Sequence, residues 1–226
     1  MPDNVGVEDL NRVIGEIQYT PVELPDWISL PQEKLRAVLK KVNEYIEPVP
    51  FDPPPATIGR IRTLPFYDEY YLLELTNLAS VPAYNKYAIL KSGDINIIDW
   101  TVEPIYSVNE KAPLTLNPSN VVAYLQFFSE YVFTADGQRF IINHPDELPW
   151  APGISDAQRA KVIDLIKPAE LTGVYEDGSF RVEATDLALY DLYKSVIFVT
   201  PSGMVDWIVV DKLAENLEIQ RRDLLV

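Results

Sequence analysis

Apolar and polar residues alternate with a helical period near the N-terminus. Over residues 31–46, leucine, valine, tyrosine and isoleucine side chains recur every three or four positions, which is the spacing of an amphipathic helix. Ser29 and Gln32 have the spacing of a capping box, and Pro31 suits a first helical turn because its missing N–H would have no partner there. The pattern therefore predicts a helix whose apolar stripe must pack against another surface.

A proline-rich segment follows this helix and prevents it from continuing. The stretch VPFDPPPAT, which ends at Thr57, has the composition of an extended polyproline II linker. A second, shorter helix is expected over residues 7–14. We interpret residues 1–54 as an N-terminal helical arm followed by this linker.

From Thr57 onwards the pattern is typical of strands. The segments TLPFYDEYYLLELTN and KYAILKSGDINIIDW are rich in aliphatic and aromatic residues, and the second contains a turn signal at residues 92–94. Two further short strands are expected around residues 109–111. This part of the chain is therefore expected to form antiparallel hairpins.

One supersecondary unit is predicted to occur twice. Residues 116–142 align with residues 182–208 without a gap, and each copy is expected to contain a helix, a strand, a turn and a second strand. The second helix is expected over residues 186–194. The identical pairs are Tyr124/Tyr190, Ser129/Ser195, Thr134/Thr200, Gly137/Gly203 and Ile142/Ile208. Coincidence is the alternative, because any helix followed by a hairpin shares caps, aromatic residues and a turn glycine.

Between the two copies, a capped helix is expected after Ser155 and a hairpin turn at residues 176–179. Because short turns join neighbouring strands, the predicted fold class is α+β, with one or more antiparallel sheets and interspersed helices. We expect a first α+β module over residues 55–150 and a second over residues 151–226, with one continuous domain as the alternative.

Composition and charge narrow the classes of protein. Apolar residues make up 47% and charged residues 23% of the chain, and cysteine is absent. These values are typical of a globular protein in a reducing compartment. The net charge of −15 is spread along the whole sequence, and an evenly acidic surface repels nucleic acids and anionic lipids. No secretory signal or spanning segment is visible, so we expect a cytoplasmic protein with neither nucleic acid nor membrane as a partner.

The only histidine lies beside two acidic residues. His144, Asp146 and Glu147 follow one another in the sequence HPDE, and imidazole with nearby carboxylates can act as a general base or bind a metal ion. A metal site normally needs three or four protein ligands, and a solvated loop explains the same residues. These three residues are therefore the candidate site, whereas no catalytic residue, metal ligand or cofactor is assigned.

Aromatic residues suggest a second kind of site. Tyr67, Tyr71, Trp100 and Trp207 belong to strand-like segments, two of them in Asp-Trp dipeptides. Tyrosine and tryptophan supply rigid, amphipathic contact area at protein interfaces. The alternative is that they form the hydrophobic core, because aromatic side chains bury large areas.

The sequence favours a non-enzymatic protein-interaction or regulatory module, since no catalytic motif is present. A basic protein partner would exploit the negative charge for rapid association. The alternative is a small-molecule binder or a carboxylate-dependent hydrolase with a cleft between the two repeat units. In a third hypothesis the helix over residues 31–46 docks the protein into a larger assembly. The sequence does not indicate an oligomeric state.

Overall fold

The computed structural model describes residues 22–47, 50–81, 83–91, 93–134 and 137–220. Within these ranges the chain forms eleven strands and four α-helices. Every strand pairing is antiparallel and the helices are interspersed, so the predicted α+β class is confirmed. The predicted helix over residues 7–14 lies outside the described residues.

Five strands form the N-terminal sheet, in the order in which they occur along the chain. They are β1 (Ile28–Ser29), β2 (Thr57–Thr63), β3 (Tyr71–Asn77), β4 (Tyr84–Lys91) and β5 (Asp94–Ile98). The predicted hairpin between β4 and β5 is confirmed. The aromatic segment before β3 is not extended, and its strand begins only at Tyr71.

Helix α1 (Gln32–Val42) packs on this sheet and is not a detached arm. Its residues Leu35, Leu39 and Val42 are buried in one cluster with Leu73, Leu75 and Ala88 of the sheet. Helix and sheet are in close contact at Gly59, where an added Cβ atom would lie only 2.8 Å from the Leu35 Cδ1 atom. The predicted capping box is wrong: Ser29 pairs with Arg60 in the sheet, and the N-cap residue is Pro31.

The two short strands expected around residues 109–111 are also wrong, because this segment is helix α2 (Glu103–Lys111). Pro104 lies in its first turn, where the fixed backbone angle of proline favours a helix start. Ile105 and Val108 are one turn apart and fully buried. The short apolar pattern was therefore helical, not extended.

Six strands form the C-terminal sheet. They are β6 (Phe133–Thr134), β7 (Gly137–Ile141), β8 (Glu170–Val174), β9 (Phe180–Ala188), β10 (Asp191–Val199) and β11 (Val205–Ala214). The order is β11-β10-β9-β7-β6, with β8 paired to β9. Helix α3 (Val121–Tyr131) is buried on most of its surface, and the Tyr124 hydroxyl donates to the Gly203 carbonyl at 2.7 Å. Helix α4 (Asp156–Ile163) begins with the predicted capping box of Ser155 and Gln158, which is confirmed.

The predicted duplication is not present in the structure. Residues 116–142 contain helix α3, but residues 182–208 lie in three strands and contain no helix. The expected second helix spans the end of β9, a turn at Leu189 and Tyr190, and the beginning of β10. Leu189 has a φ angle of 56° in this turn, a conformation that glycine or asparagine usually adopts, so the turn carries no signal in the sequence. Strand β11 continues beyond the supposed repeat to Ala214.

Within the described residues the chain separates into two compact units, one of residues 24–113 and one of residues 22–23 and 114–220. The sequence instead suggested divisions after residues 54 and 150. Helix α1, before the first of these positions, buries its apolar stripe on the sheet that begins at Thr57. Strand β7, before the second, pairs with β9, after it.

Candidate interaction edge of the C-terminal sheet

The histidine turn closes on its own backbone. His144 precedes a short 3₁₀ turn, Pro145–Glu147, and both His144 and Asp146 are exposed. The Glu147 carboxylate accepts a hydrogen bond from the Asn143 N–H at 2.9 Å. Among the described residues, no three histidine or carboxylate side chains lie close enough together to hold a metal ion. The structure therefore gives Glu147 a role in shaping this turn and brings no further ligand to it.

The four aromatic candidates have different surroundings. Tyr67 is only 6% exposed and its hydroxyl donates to the Asn109 side chain, so it belongs to the core and not to a surface. Tyr71 is 39% exposed at the beginning of β3. Trp100 is half-buried, with its ring 5.8 Å from that of Tyr87 in an edge-on arrangement. These three residues therefore do not form one exposed patch.

Trp207, the fourth candidate, lies in β11 and leads to a different feature. It is half-buried, but the next three residues, Ile208, Val209 and Val210, are 44%, 41% and 56% exposed. β11 is the last strand of its sheet and contains ten residues. An apolar run on a long terminal strand is a surface where another strand can pair.

The register of the hairpin shows which backbone groups of β11 face outwards. The Thr200 N–H donates to the Met204 carbonyl at 3.0 Å, which makes this a hydrogen-bonded pair. Bonded and non-bonded pairs alternate along antiparallel strands. Because Val199 pairs with Val205 and Ile197 with Trp207, the odd-numbered residues from 205 to 209 direct their N–H and C=O groups away from β10.

Acidic side chains surround the exposed apolar residue on one face. Asp206, Ile208 and Asp211 pair with Phe198, Val196 and Lys194 of β10, which alternate along that strand and so share a face. Asp206 and Asp211 are exposed, and neither forms a salt bridge with a described residue. The Lys194 ammonium group instead lies 2.9 Å from Glu183. The face therefore presents two carboxylates on either side of an isoleucine.

A buried polar network holds the strands behind this edge together. Arg139 of β7 donates to Asp186 of β9 at 2.7 Å, and the Ser195 hydroxyl of β10 donates to the other carboxylate oxygen at 2.5 Å. Asp186 and Ser195 are completely buried. Burial raises the pKa of the Asp186 carboxyl, although the bonds from Ser195 and Arg139 oppose that shift.

A cleft was expected between a first segment, residues 116–142, and a second segment, residues 182–208, and strands of both segments belong to one sheet. β7 of the first segment pairs directly with β9 of the second, with Arg139 opposite Ala188. A serine and a carboxylate in contact resemble part of a nucleophilic site, but within the described structure their hydrogen bonds run to each other and to Arg139, and the solvent does not reach them. Their arrangement is that of an internal ion pair.

A cavity of about 630 Å³ lies elsewhere in the same unit, between the segment after α4 and strands β9 to β11. It is lined by the charged residues Asp164, Lys167, Glu170, Glu183 and Lys194. Glu183 bonds to both Lys194 and Arg181, and these two hydrogen bonds lower the pKa of its carboxyl. The Glu183 carboxylate is therefore neutralised by the protein itself.

Trp207 is a candidate from the sequence, whereas the three residues that follow it are not. The run of Ile208, Val209 and Val210 has the composition of any buried strand, and only the strand order exposes it. In comparisons with protein-family models, curated protein sequences and solved structures, no match to this chain was found. No helix of the described chain is both long and apolar enough to cross a bilayer.

Proposed function

We propose that this chain is a non-enzymatic protein-interaction module that binds an extended segment of a basic partner along β11. The observation that carries the proposal is the exposed apolar run Ile208–Val209–Val210 on a ten-residue terminal strand. A partner strand would extend the sheet by accepting and donating backbone hydrogen bonds, which is a common mode of peptide recognition.

The side chains around the edge favour a partner with alternating basic and apolar residues. A lysine or arginine of the added strand would lie beside Asp206 or Asp211, and an apolar residue would lie beside Ile208. The net charge of −15 also attracts a basic partner at long range. The absence of cysteine fits a reducing location such as the cytoplasm.

The test compares two substitutions at one position of the edge. Val209→Pro removes an N–H group that faces away from β10, so it blocks pairing with a partner while leaving the hydrogen bonds to β10 intact. Val209→Thr keeps the N–H group and the branched shape. Each tagged protein is used to isolate partners from native lysate at about 50 and 300 mM salt, and the unfolding temperature of each is measured.

The proposal expects a basic partner that the original protein and Val209→Thr retain, that Val209→Pro loses, and that the higher salt releases. Equal retention by all three proteins would contradict pairing along β11. Size-exclusion chromatography tests whether the partner at this edge is a second copy of the chain. If the original protein is a dimer and Val209→Pro a monomer, the edge binds a second copy of this chain, and the proposed basic partner is wrong.

A further inference from the structure

The cavity of about 630 Å³ lies in the compact unit that contains the C-terminal sheet. One wall is the connection between α4 and β8 together with Glu170, the first residue of β8, and the other wall consists of residues of β9, β10 and β11. Small-molecule sites usually have volumes of about 300–1,000 Å³. This cavity is therefore large enough to hold a small organic molecule.

Hydrogen bonds fix the connection that forms the first wall. The Lys167 N–H donates to the Thr185 hydroxyl oxygen at 2.9 Å, and the Ala169 N–H donates to the Asn143 side-chain oxygen at 2.8 Å. Leu165 lines the cavity and also packs against the apolar cluster that includes α4. The wall is therefore part of the folded structure, and a ligand would not have to order it.

A β-bulge shapes the opposite wall. Leu213 of β11 has no partner in β10, because its neighbours Lys212 and Ala214 pair with the consecutive residues Tyr193 and Leu192. Leu213 lines the cavity. Bulges redirect side chains and are frequent beside functional sites. A second bulge lies in β8, close to the strand's first residue, so irregular pairing occurs in strands on both sides of the cavity.

Two carboxylates face each other at the cavity, and only one of them is neutralised. Glu170 lies directly opposite Glu183 in the pairing of β8 with β9. The two oxygens of Glu183 are bonded to Arg181 at 2.8 Å and to Lys194 at 2.9 Å, whereas Glu170 forms no ion pair with a described residue. Like charges directly opposite in a sheet are destabilising. A positive group beside Glu170 would remove that repulsion.

Positive charge is present at the same cavity. The Lys167 ammonium group forms no ion pair within the described part of the chain. The Lys194 ammonium group has three donors, and its described ion pair is the one with Glu183. The lining therefore offers donors for an anion as well as an acceptor for a cation. Leu165, Leu213 and Pro168 supply apolar surface between them.

We propose that this cavity binds a free α-amino acid with an apolar side chain. The ammonium group of the ligand lies beside Glu170, and its carboxylate lies beside Lys167 and Lys194. The side chain of the ligand contacts Leu165 and Leu213. A ligand with a single charge would leave one of the two sets of charges without a partner. The proposal does not depend on the partner proposed for the edge of β11.

L-Leucine is the probe, and its binding is measured by calorimetry and by NMR shifts of the amides of residues 165–170 and 213. Isocaproate has the same apolar body without the ammonium group, and isoamylamine has that body without the carboxylate. Glycine has both charges without an apolar side chain. Each of the three is expected to bind more weakly than L-leucine, because each loses one of the three sets of contacts.

Glu170→Gln removes the acceptor for the ammonium group. L-Leucine affinity should fall about three- to ten-fold, the range between an exposed ion pair and a hydrogen bond to a charged group, while isocaproate affinity does not fall. The unfolding temperature should not decrease, because the substitution removes the repulsion with Glu183. Glu176→Gln makes the same change of charge in an exposed turn outside the cavity and is the matched control.

Lys167→Gln tests the other end of the ligand. It should weaken both L-leucine and isocaproate but leave isoamylamine unchanged, because only the first two have a carboxylate. Lys161→Gln, on the exposed surface of α4 and outside the cavity, is the control for this variant and should bind all three compounds as the original protein does.

Three results would overturn the proposal. The first is that L-leucine shifts none of the cavity amides up to its solubility limit. The second is that isocaproate or isoamylamine binds as tightly as L-leucine, which would mean that the cavity does not select both charges. The third is that Glu170→Gln keeps full affinity for L-leucine, since the ammonium group would then have no contact with Glu170.

Discussion

The edge strands of the two sheets differ in length. In the N-terminal sheet, the edge strand β1 has two residues and β5 has five. β5 is also tied to helix α2, because Lys111 donates to Asn96 at 3.0 Å. The C-terminal sheet ends on one side in the ten-residue β11 and on the other in the two-residue β6 and the five-residue β8. Proteins usually shorten or cover edges to prevent unwanted pairing, so the long edge of β11 is the exception in this chain.

The irregularities of β11 limit how much of that edge can pair. Its register with β10 shifts between Leu192 and Tyr193 and again between Lys194 and Ser195. Such bulges twist an edge and end regular pairing. The longest uninterrupted one-to-one pairing with β10 therefore covers Val205–Val209, which is long enough to add a short strand. This geometry favours one specific partner segment over unlimited stacking of copies.

The ion pairs inside the two sheets differ in how far their side chains are buried. Arg139 and Asp186 are 9% and 0% exposed in their side chains, whereas Arg60 of the N-terminal sheet is 46% exposed and its partner Glu74 8%. Water can therefore solvate the exposed part of the Arg60–Glu74 pair, but it does not reach the Arg139–Asp186 pair. The more deeply buried ion pair therefore belongs to the sheet that has the long exposed edge.

The largest effect is expected from Arg139→Met. The substitution leaves Asp186 buried without its cation, which typically costs about 3–5 kcal/mol. Chemical denaturation measures the change in the free energy of unfolding. The double variant Arg139→Met, Asp186→Leu should recover part of that loss because no buried charge remains. A loss below about 1 kcal/mol would show that the pair is not a main support of the sheet.

Arg60→Met tests the matching pair in the N-terminal sheet. We expect a smaller loss, about 1–3 kcal/mol, because Glu74 loses a charged hydrogen bond but lies beside a partly exposed side chain. The same denaturation experiment gives the value. A loss equal to that of Arg139→Met would remove the difference between the two sheets.

The pKa of Asp186 predicts a pH effect. Because burial raises this pKa in the folded protein, the folded state keeps a proton that the unfolded state loses at a pH of about 3.9. The contribution of Asp186 to stability is therefore greatest below that pH and falls as the pH rises through the folded pKa. Each unit of pKa elevation corresponds to about 1.4 kcal/mol.

The measurement for this prediction is the free energy of unfolding between pH 3 and pH 7, for the original protein and for Asp186→Asn. The free energy of unfolding of the original protein minus that of Asp186→Asn should decrease with increasing pH. If it increases, the attraction of Arg139 outweighs burial and the pKa is lowered.

The smallest effect on stability is expected from Ile208→Lys. Ile208 is 44% exposed, so the free energy of unfolding should change by no more than about 0.5 kcal/mol. Partner binding should nevertheless be lost, because the lysine repels a basic segment and removes an apolar contact. Ile28→Lys, on the two-residue edge β1, is the control and should retain the partner. If Ile208→Lys also retains it, Ile208 does not contact the partner.

Local patterns predicted several elements correctly. Helix α1 follows from the three-to-four residue spacing of its apolar stripe, and α4 follows from the capping box at Ser155. The hairpins β4–β5 and β8–β9 follow from glycine-containing turns between apolar segments. In these cases the signal and the structure it specifies lie within a few residues of each other, so the sequence is sufficient.

The turn at Leu189 and Tyr190 was missed because it uses no typical turn residue. The segment around it has the spacing of a helix, yet pairing with Arg139 to Ile141 and with β11 makes it extended. Distant contacts of this kind override weak local preferences. The supposed second repeat therefore depended on a local resemblance that the sheet does not preserve.

The sequence by itself determined the fold class and the acidic charge. Only the tertiary structure decided that Tyr67 is buried, that Asp186 is paired with Arg139, and that β11 is a terminal strand. The physical reason is that exposure depends on which strands become neighbours. That order is set by contacts between residues far apart in the chain, and such contacts leave no periodic pattern in the sequence.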